Sequence, residues 1–211
     1  MYQSKRKYSI TQSQLIALIT LLFAFTFAHL PVSAQTNAVS IDNFGEVNEH
    51  YFRGSQPDEE EFIQLKNKGI KTIIDLRKDR EKEAEGWALG QGLRYVNIPL
   101  TTKKAATAEQ TAFFLELVND PENWPVYVHC KGGRHRTGEM TAIYRITEDG
   151  WNADRAYEEM KDYDFKNNIF YPRALKKYVF SFYEQHVARQ EAKAGQESSG
   201  SAQVQLESQP K

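Results

Sequence analysis

Hydrophobic and polar positions alternate along the middle of this 211-residue chain in a way that divides it into short strands and amphipathic helices. Apolar runs at 70–76, 93–100 and 126–129 have the compact character of buried strands. Two shorter strands, 41–44 and 50–53, flank a turn at Gly45-Glu46. Between these runs the spacing changes to the helical period. Ser55 as N-cap, with acids in the following turn, opens a helix whose apolar face is Phe62, Ile63 and Leu65 and which ends at Gly69. Residues 79–90 form a charged helix with Ala84, Trp87, Ala88 and Leu89 facing inward. Thr107-Ala108-Glu109-Gln110 reads as a capping box, and the helix it opens, 109–118, carries Phe113, Phe114, Leu117 and Val118. Further helices are predicted at 137–148 (Met140, Ile143, Tyr144, Ile146), 152–161 behind an Asn152 cap, and 172–186 (Leu175, Tyr178, Val179, Phe182). Strands separated by helices predict one α/β domain over 41–187, with a central, mostly parallel sheet flanked by helices. The Gln-, Glu-, Ser- and Gly-rich stretch from 188 to 211 predicts a disordered tail.

The first 34 residues stand apart from this pattern. Lys5, Arg6 and Lys7 precede an apolar run at 15–30, and Val32-Ser33-Ala34 places small residues where a signal peptidase reads. This predicts a signal peptide followed by a short leader, 35–40, and a periplasmic or secreted protein. Retention as an N-terminal membrane anchor is the alternative, although the run is shorter than the ~20 residues of a full span. Without that segment the chain holds 24 Lys and Arg against 28 Asp and Glu, a net charge of −4. A mildly acidic body argues against general nucleic-acid binding, which needs a broad basic face. The chain has a single cysteine, so no internal disulfide can form, and reactivity is the better reason for retaining it. Five widely spaced histidines give no metal constellation, and no cofactor is implied.

That cysteine lies in His129-Cys130-Lys131-Gly132-Gly133-Arg134-His135-Arg136-Thr137-Gly138. A loop of this length can wrap a tetrahedral oxyanion. Its glycines permit close backbone approach, successive N–H groups can converge on the oxygens, and Arg136 can grip two of them with its planar fork. A helix starting near Arg136 would aim its positive end into the same cup, and all these features favour the thiolate. The stretch resembles the signature HCxxGxxRTG of the cysteine-dependent protein tyrosine and dual-specificity phosphatases. Its basic loop is most similar to the compact atypical dual-specificity phosphatases of bacteria, plants and fungi. Tyr51-Phe52-Arg53-Gly54-Ser55-Gln56-Pro57, Lys71-Thr72-Ile73-Ile74-Asp75-Leu76-Arg77 and Phe170-Tyr171-Pro172-Arg173 extend the resemblance.

The resemblance implies a phosphomonoesterase with Cys130 as nucleophile, forming a phosphocysteine. It also implies that Arg136 grips the phosphoryl group, that His129 orients the loop and favours the thiolate, and that Thr137 directs its hydroxyl toward the sulfur. Lys131, Gly132, Gly133, Arg134 and His135 would bind substrate, and Arg53 and Arg173 could reach it. In this superfamily an aspartate on the loop after the preceding strand protonates the leaving group. Here that loop, 99–107, contains no acid. Glu109 and Asp75 are the candidates, with Asp162 and Asp164 more remote. Phosphorylated proteins, with phosphotyrosine or phosphoserine, and inositol phosphates remain open as substrates. A catalytically weak phosphate-binding module and a rhodanese-like sulfurtransferase are the competing readings.

Overall fold

The computed structural model describes residues 39–79, 81–166 and 173–207, with backbone alone from 197 onward. The predicted signal segment and the Phe170-Tyr171-Pro172 motif lie outside the described residues. Strands β1 (Gly45–Asn48), β2 (Tyr51–Gly54), β3 (Thr72–Arg77), β4 (Arg94–Leu100) and β5 (Val126–His129) form one sheet in the order β1-β2-β5-β3-β4. Only the β1–β2 pair is antiparallel. The helices are α1 (Glu59–Asn67), α2 (Lys82–Gly90), α3 (Ala108–Asn119), α4 (Arg136–Thr147), α5 (Ala153–Asp162) and α6 (Arg173–Glu207). This is the α/β architecture expected from the sequence.

Strand periodicity assigns the two faces of the sheet. Phe52, Ile73 and Tyr127 point to one side, where they pack with Phe62 and Leu65 of α1 and Ala84 and Ala88 of α2. Their neighbours Tyr51, Ile74, Leu76, Val126 and Val128 point to the other, against Phe114 and Leu117 of α3 and Met140 and Tyr144 of α4. Beyond that layer, Ala142 and Ile146 of α4 meet Ala156 and Met160 of α5 and Leu175 and Val179 of α6. A central strand packed on both faces must be apolar throughout, and β5 is fully buried.

Several expected boundaries shift, each for a local reason. Residues 41–44 form a turn, not a strand: Phe44 N–H donates to Ile41 O and Asn43 takes φ +57°, which an extended strand cannot accommodate. The first strand pair is therefore β1 and β2, joined through Glu49-His50. The cap of α1 is Asp58, not Ser55. Asp58 Oδ1 accepts from Glu61 N–H at 2.9 Å while the Glu61 carboxylate accepts from Asp58 N–H at 2.9 Å. Helix α2 starts at Lys82, because Lys78 N–H still donates to Leu100 O beside β4. Ile63, Leu89 and Phe113 are 43%, 58% and 43% exposed and so lie off the buried stripes assigned to them. The Thr107 capping box of α3 is present as expected. Helix α6 continues past 188 to Glu207, where a disordered tail was expected, with residues 188–196 exposed.

Candidate active site

Parallel neighbours on both sides place the end of β5 at the middle of the sheet's carboxyl edge, where open α/β sheets bind ligands. Gly54 of β2 and Asp75 of β3 stand level with His129. The chain then passes Cys130, loops through 131–135 and enters α4 at Arg136. His135, at the N-cap, makes no side-chain cap, which leaves first-turn N–H groups of a twelve-residue helix directed at the loop.

The loop owes its shape to three anchors outside it. Gln56 N–H donates to Lys131 O at 3.3 Å. Asn43 Nδ2 donates to the carbonyls of Gly132 and Gly133 at 3.3 and 3.2 Å, and Arg53 Nη2 donates to Gly133 O at 2.8 Å. In a trans peptide the carbonyl and the next N–H point oppositely, so pinning these carbonyls outward turns the amides of 132–134 toward the cup. Gly133 carries φ +65°, and a Cβ there would lie 2.5 Å from the Gly54 carbonyl carbon. Only glycine fits that approach.

Cys130, 3% exposed, is the floor of the cup. Burial pushes its thiol up, but the Thr137 hydroxyl bond, the Arg136 charge and the N–H groups of Thr137 and Gly132 outweigh burial and hold it below the ordinary range. Arg136 is 6% exposed; its Nη1 donates to Leu100 O at 3.3 Å and lies 3.5 Å from Asp79 Oδ1. It lines a cavity of about 470 Å³ with Lys78, Asp79, Leu100, Thr101, Thr102 and Lys103. A second groove of about 370 Å³, between α3, α4 and α6, shares no residue with the cup.

His129 is fully buried, and burial lowers its pKa to about 4 against the opposing pull of Asp75, 3.9 Å away. The ring is neutral at neutral pH, so any help it gives the thiolate comes through orientation and hydrogen bonding rather than charge.

Neither candidate acid is placed to protonate a leaving group. Asp75 is buried with both oxygens occupied: Arg77 Nε at 3.1 Å on Oδ1 and Tyr95 OH at 2.7 Å on Oδ2. It braces β3 against β4. Glu109 is exposed on the first turn of α3, where the Thr107 hydroxyl and its own N–H hold its carboxyl below the usual range. That environment favours the carboxylate, the opposite of what a proton donor requires. Asp162 and Asp164 are also exposed, and Asp164 pairs with Arg134 at 3.2 Å. Arg134 is thereby engaged at the surface, whereas Lys131 is exposed at the loop and Arg173 at the start of α6.

Three residues near the site escaped the sequence reading. Asp79 is the carboxylate beside Arg136; its own backbone N–H and the Arg136 charge, against slight burial, hold it low. Glu139 is wholly buried in the first turn of α4, accepts from Ala106 N–H at 3.2 Å and is pushed up to about 8 by burial. It is a neutral acid at neutral pH that ties the 101–107 loop to α4. Asn43 is the third. A charged or amide residue within an otherwise apolar, short segment was the available signal for Glu139 and Asn43; nothing local marked Asp79. Among the described residues no cluster of His, Cys, Asp and Glu could hold a metal ion.

This geometry agrees with comparisons to known proteins. A family profile described as "DSP-PTPase phosphatase fused to NAD+ Kinase" matches residues 26–174. The chain belongs to this phosphatase family. Its domain is of the cysteine-dependent tyrosine and dual-specificity phosphatase type. The dual specificity protein phosphatase TpbA of Pseudomonas aeruginosa is 32% identical over 132 residues, 62% of this chain and 58% of that protein. The chain thus spans somewhat under two thirds of the length of that curated relative. The structure of a TpbA variant in complex with phosphotyrosine is 27% identical, with a TM-score of 0.57, covering 72% of this chain and 90% of the other. The catalytic core of the PP-IP phosphatase SIW14 of S. cerevisiae has a TM-score of 0.61 at 20% identity, covering 74% and 94%. That likeness is one of fold.

Proposed function

We propose that the chain is a phosphomonoesterase that transfers a phosphoryl group to Cys130 and then to water. The observation that carries this is the pairing of a thiol held below its ordinary range with an amide-lined cup and the Arg136 side chain. In the first step the sulfur attacks phosphorus in line, the S–P bond forms and the ester P–O bond breaks. In the second, a water oxygen attacks phosphorus and gives up a proton to solvent, the S–P bond breaks, its electron pair returns to sulfur as the thiolate, and inorganic phosphate leaves. Cup amides and Arg136 bind the equatorial oxygens throughout, which is the larger electrostatic contribution.

With no acid among the described residues placed at the cup mouth, substrates whose leaving group needs little protonation are favoured: phenols, as in phosphotyrosine, or phosphoanhydrides. TpbA, a relative with a phosphotyrosine complex, supports the first class. The cationic rim supports a polyanion. Lys78 and Lys103 line the cavity with Arg136, and Lys131 stands exposed on the loop, more cations than one phosphate requires. We take a multiply phosphorylated substrate that carries a phosphoanhydride, such as an inositol pyrophosphate, as the better fit to both the rim and the missing acid. Lys103→Ala with Lys131→Ala should raise KM for such a substrate by about tenfold or more, with a shallower salt dependence, and leave p-nitrophenyl phosphate little changed. Equal losses on both substrates would return phosphotyrosine proteins to the front.

We propose export as well, supported by the basic start, the apolar run and Val32-Ser33-Ala34. Sequencing the N-terminus of the expressed protein tests it: a start at Gln35 is expected, and retention of Met1 would contradict cleavage. No helix among the described residues is long and apolar enough to cross a membrane.

A further inference from the structure

Arg53 is the largest fully buried side chain among the described residues, and the phosphoryl-transfer steps do not use it. It occupies β2, level with Val128 of β5, with no exposure to solvent. One of its nitrogens donates to Gly133 O, the deepest of the three carbonyl anchors of the loop. Its guanidinium carbon lies 3.8 Å from the centre of the Tyr163 ring, and Tyr163 O in turn accepts from Asn43, the second anchor. Nε and Nη1 find no hydrogen-bond acceptor among the described residues. A buried arginine satisfied at one of its three nitrogens is a costly residue, and an apolar side chain of similar length would normally pack there at lower cost.

What offsets that cost is negative charge nearby. The groups facing Arg53 are Tyr51 on its own strand, Cys130 beyond β5, and Glu159 and Tyr163 from α5. Burial lowers the Arg53 pKa, and each of these neighbours raises it in return. Tyr51 is itself pushed up by burial, and is neutral. Glu159 spends one carboxylate oxygen on Arg145, at 2.7 Å from Nη2 and 3.0 Å from Nε. Cys130 is the weakest of these influences on Arg53, and Thr137, Arg136 and the Thr137 and Gly132 amides weigh more on the thiol, so the direct structural tie of Arg53 to the cup is its bond to Gly133 O.

We propose that Arg53 is a positioning residue for the anion cup, which from behind the loop both locks the Gly133 peptide with its amide side toward substrate and supplies a fixed positive charge to the Cys130 thiolate. Tyr163 is the plate that holds the guanidinium flat. Arg53 touches no substrate atom; it acts through Gly133 and Cys130. The two effects separate by substitution. Methionine removes charge and hydrogen bond, whereas lysine keeps the charge but loses the planar, oriented donor.

The proposal rests on Cys130 being the nucleophile, so its test does not depend on turnover. The rate of Cys130 alkylation by iodoacetamide against pH gives the thiol midpoint, and vanadate affinity reports the cup. In Arg53→Met the midpoint should rise by about one pH unit, and vanadate affinity should fall about tenfold or more. In Arg53→Lys the midpoint should stay near that of the wild type while vanadate affinity still falls. A folded Arg53→Met with both quantities unchanged would overturn the proposal, whatever its melting temperature. If Arg53→Met does not fold, Tyr163 decides: Tyr163→Leu should move midpoint and affinity in the same directions, and Tyr163→Phe, which keeps the ring, should restore both. No shift in Tyr163→Leu overturns the proposal as well. A protein that shows these shifts yet hydrolyses no phosphate ester would retain the role of Arg53 and lose the phosphatase reading.

Discussion

Replacing Cys130 by serine is expected to lower turnover of p-nitrophenyl phosphate by about 10⁴-fold or more, with vanadate still bound. The reason lies in what tunes the site. Thr137, Arg136 and the N–H groups of Thr137 and Gly132 bring a thiol below its ordinary range, which raises the thiolate fraction at any given pH. The same groups acting on a serine hydroxyl start from an acidity too weak for any useful alkoxide fraction. The cup itself remains, because its carbonyl anchors are Gln56, Asn43 and Arg53 and none contacts the sulfur by a hydrogen bond. Wild-type kcat/KM should rise with pH through the midpoint of the lowered thiol, so activity persists below the pH at which an unperturbed cysteine would lose its thiolate. Steady-state assays of the two proteins, with vanadate titration of both, check this. A serine variant within about tenfold of wild type would remove covalent catalysis from the account.

The second large effect is expected at Arg136. Arg136→Lys keeps the charge yet should lose about 10²–10³-fold in kcat, with a smaller change in KM. Its guanidinium, 6% exposed, is held by the wall of the cavity through Nη1 on Leu100 O, while Nε keeps no partner among the described residues. A lysine ammonium can reach one oxygen at a time. Because the charge on the phosphoryl oxygens is redistributed mainly in the transition state, the penalty belongs to kcat. A loss confined to KM would assign Arg136 to ground-state binding alone.

Local chemistry was legible in the sequence and long-range placement was not. The stretch from His129 to Gly138 contains its own strand end, glycine turn and helix start, so the cup was readable without the fold. The Thr107–Gln110 capping box and the Val126–His129 strand were readable for the same reason. The apolar pair at positions 41 and 44 misled, because a turn packed against the sheet buries such residues as well as a strand does. Asp75 was named as an acid for its place at the end of an apolar run. Its partner Arg77 lies two residues on in the same strand, but Tyr95 reaches it only once β4 lies beside β3. Asp79 meets Arg136 across 57 positions and Arg53 meets Gly133 across 80, and no periodicity in one segment encodes such a meeting. Arg53 was assigned to the family-like flank as a residue that could reach substrate; burial places it behind the loop instead.

The account's central claim is a covalent phosphocysteine on Cys130, and acid-quenched intact mass analysis during turnover tests it most directly. Wild-type protein mixed with p-nitrophenyl phosphate and quenched within the first turnovers should carry one added phosphoryl group, mapped by peptide analysis to Cys130, while the serine variant carries none. Turnover with no phosphoryl-protein at any quench time, or with the group on another residue, would contradict it.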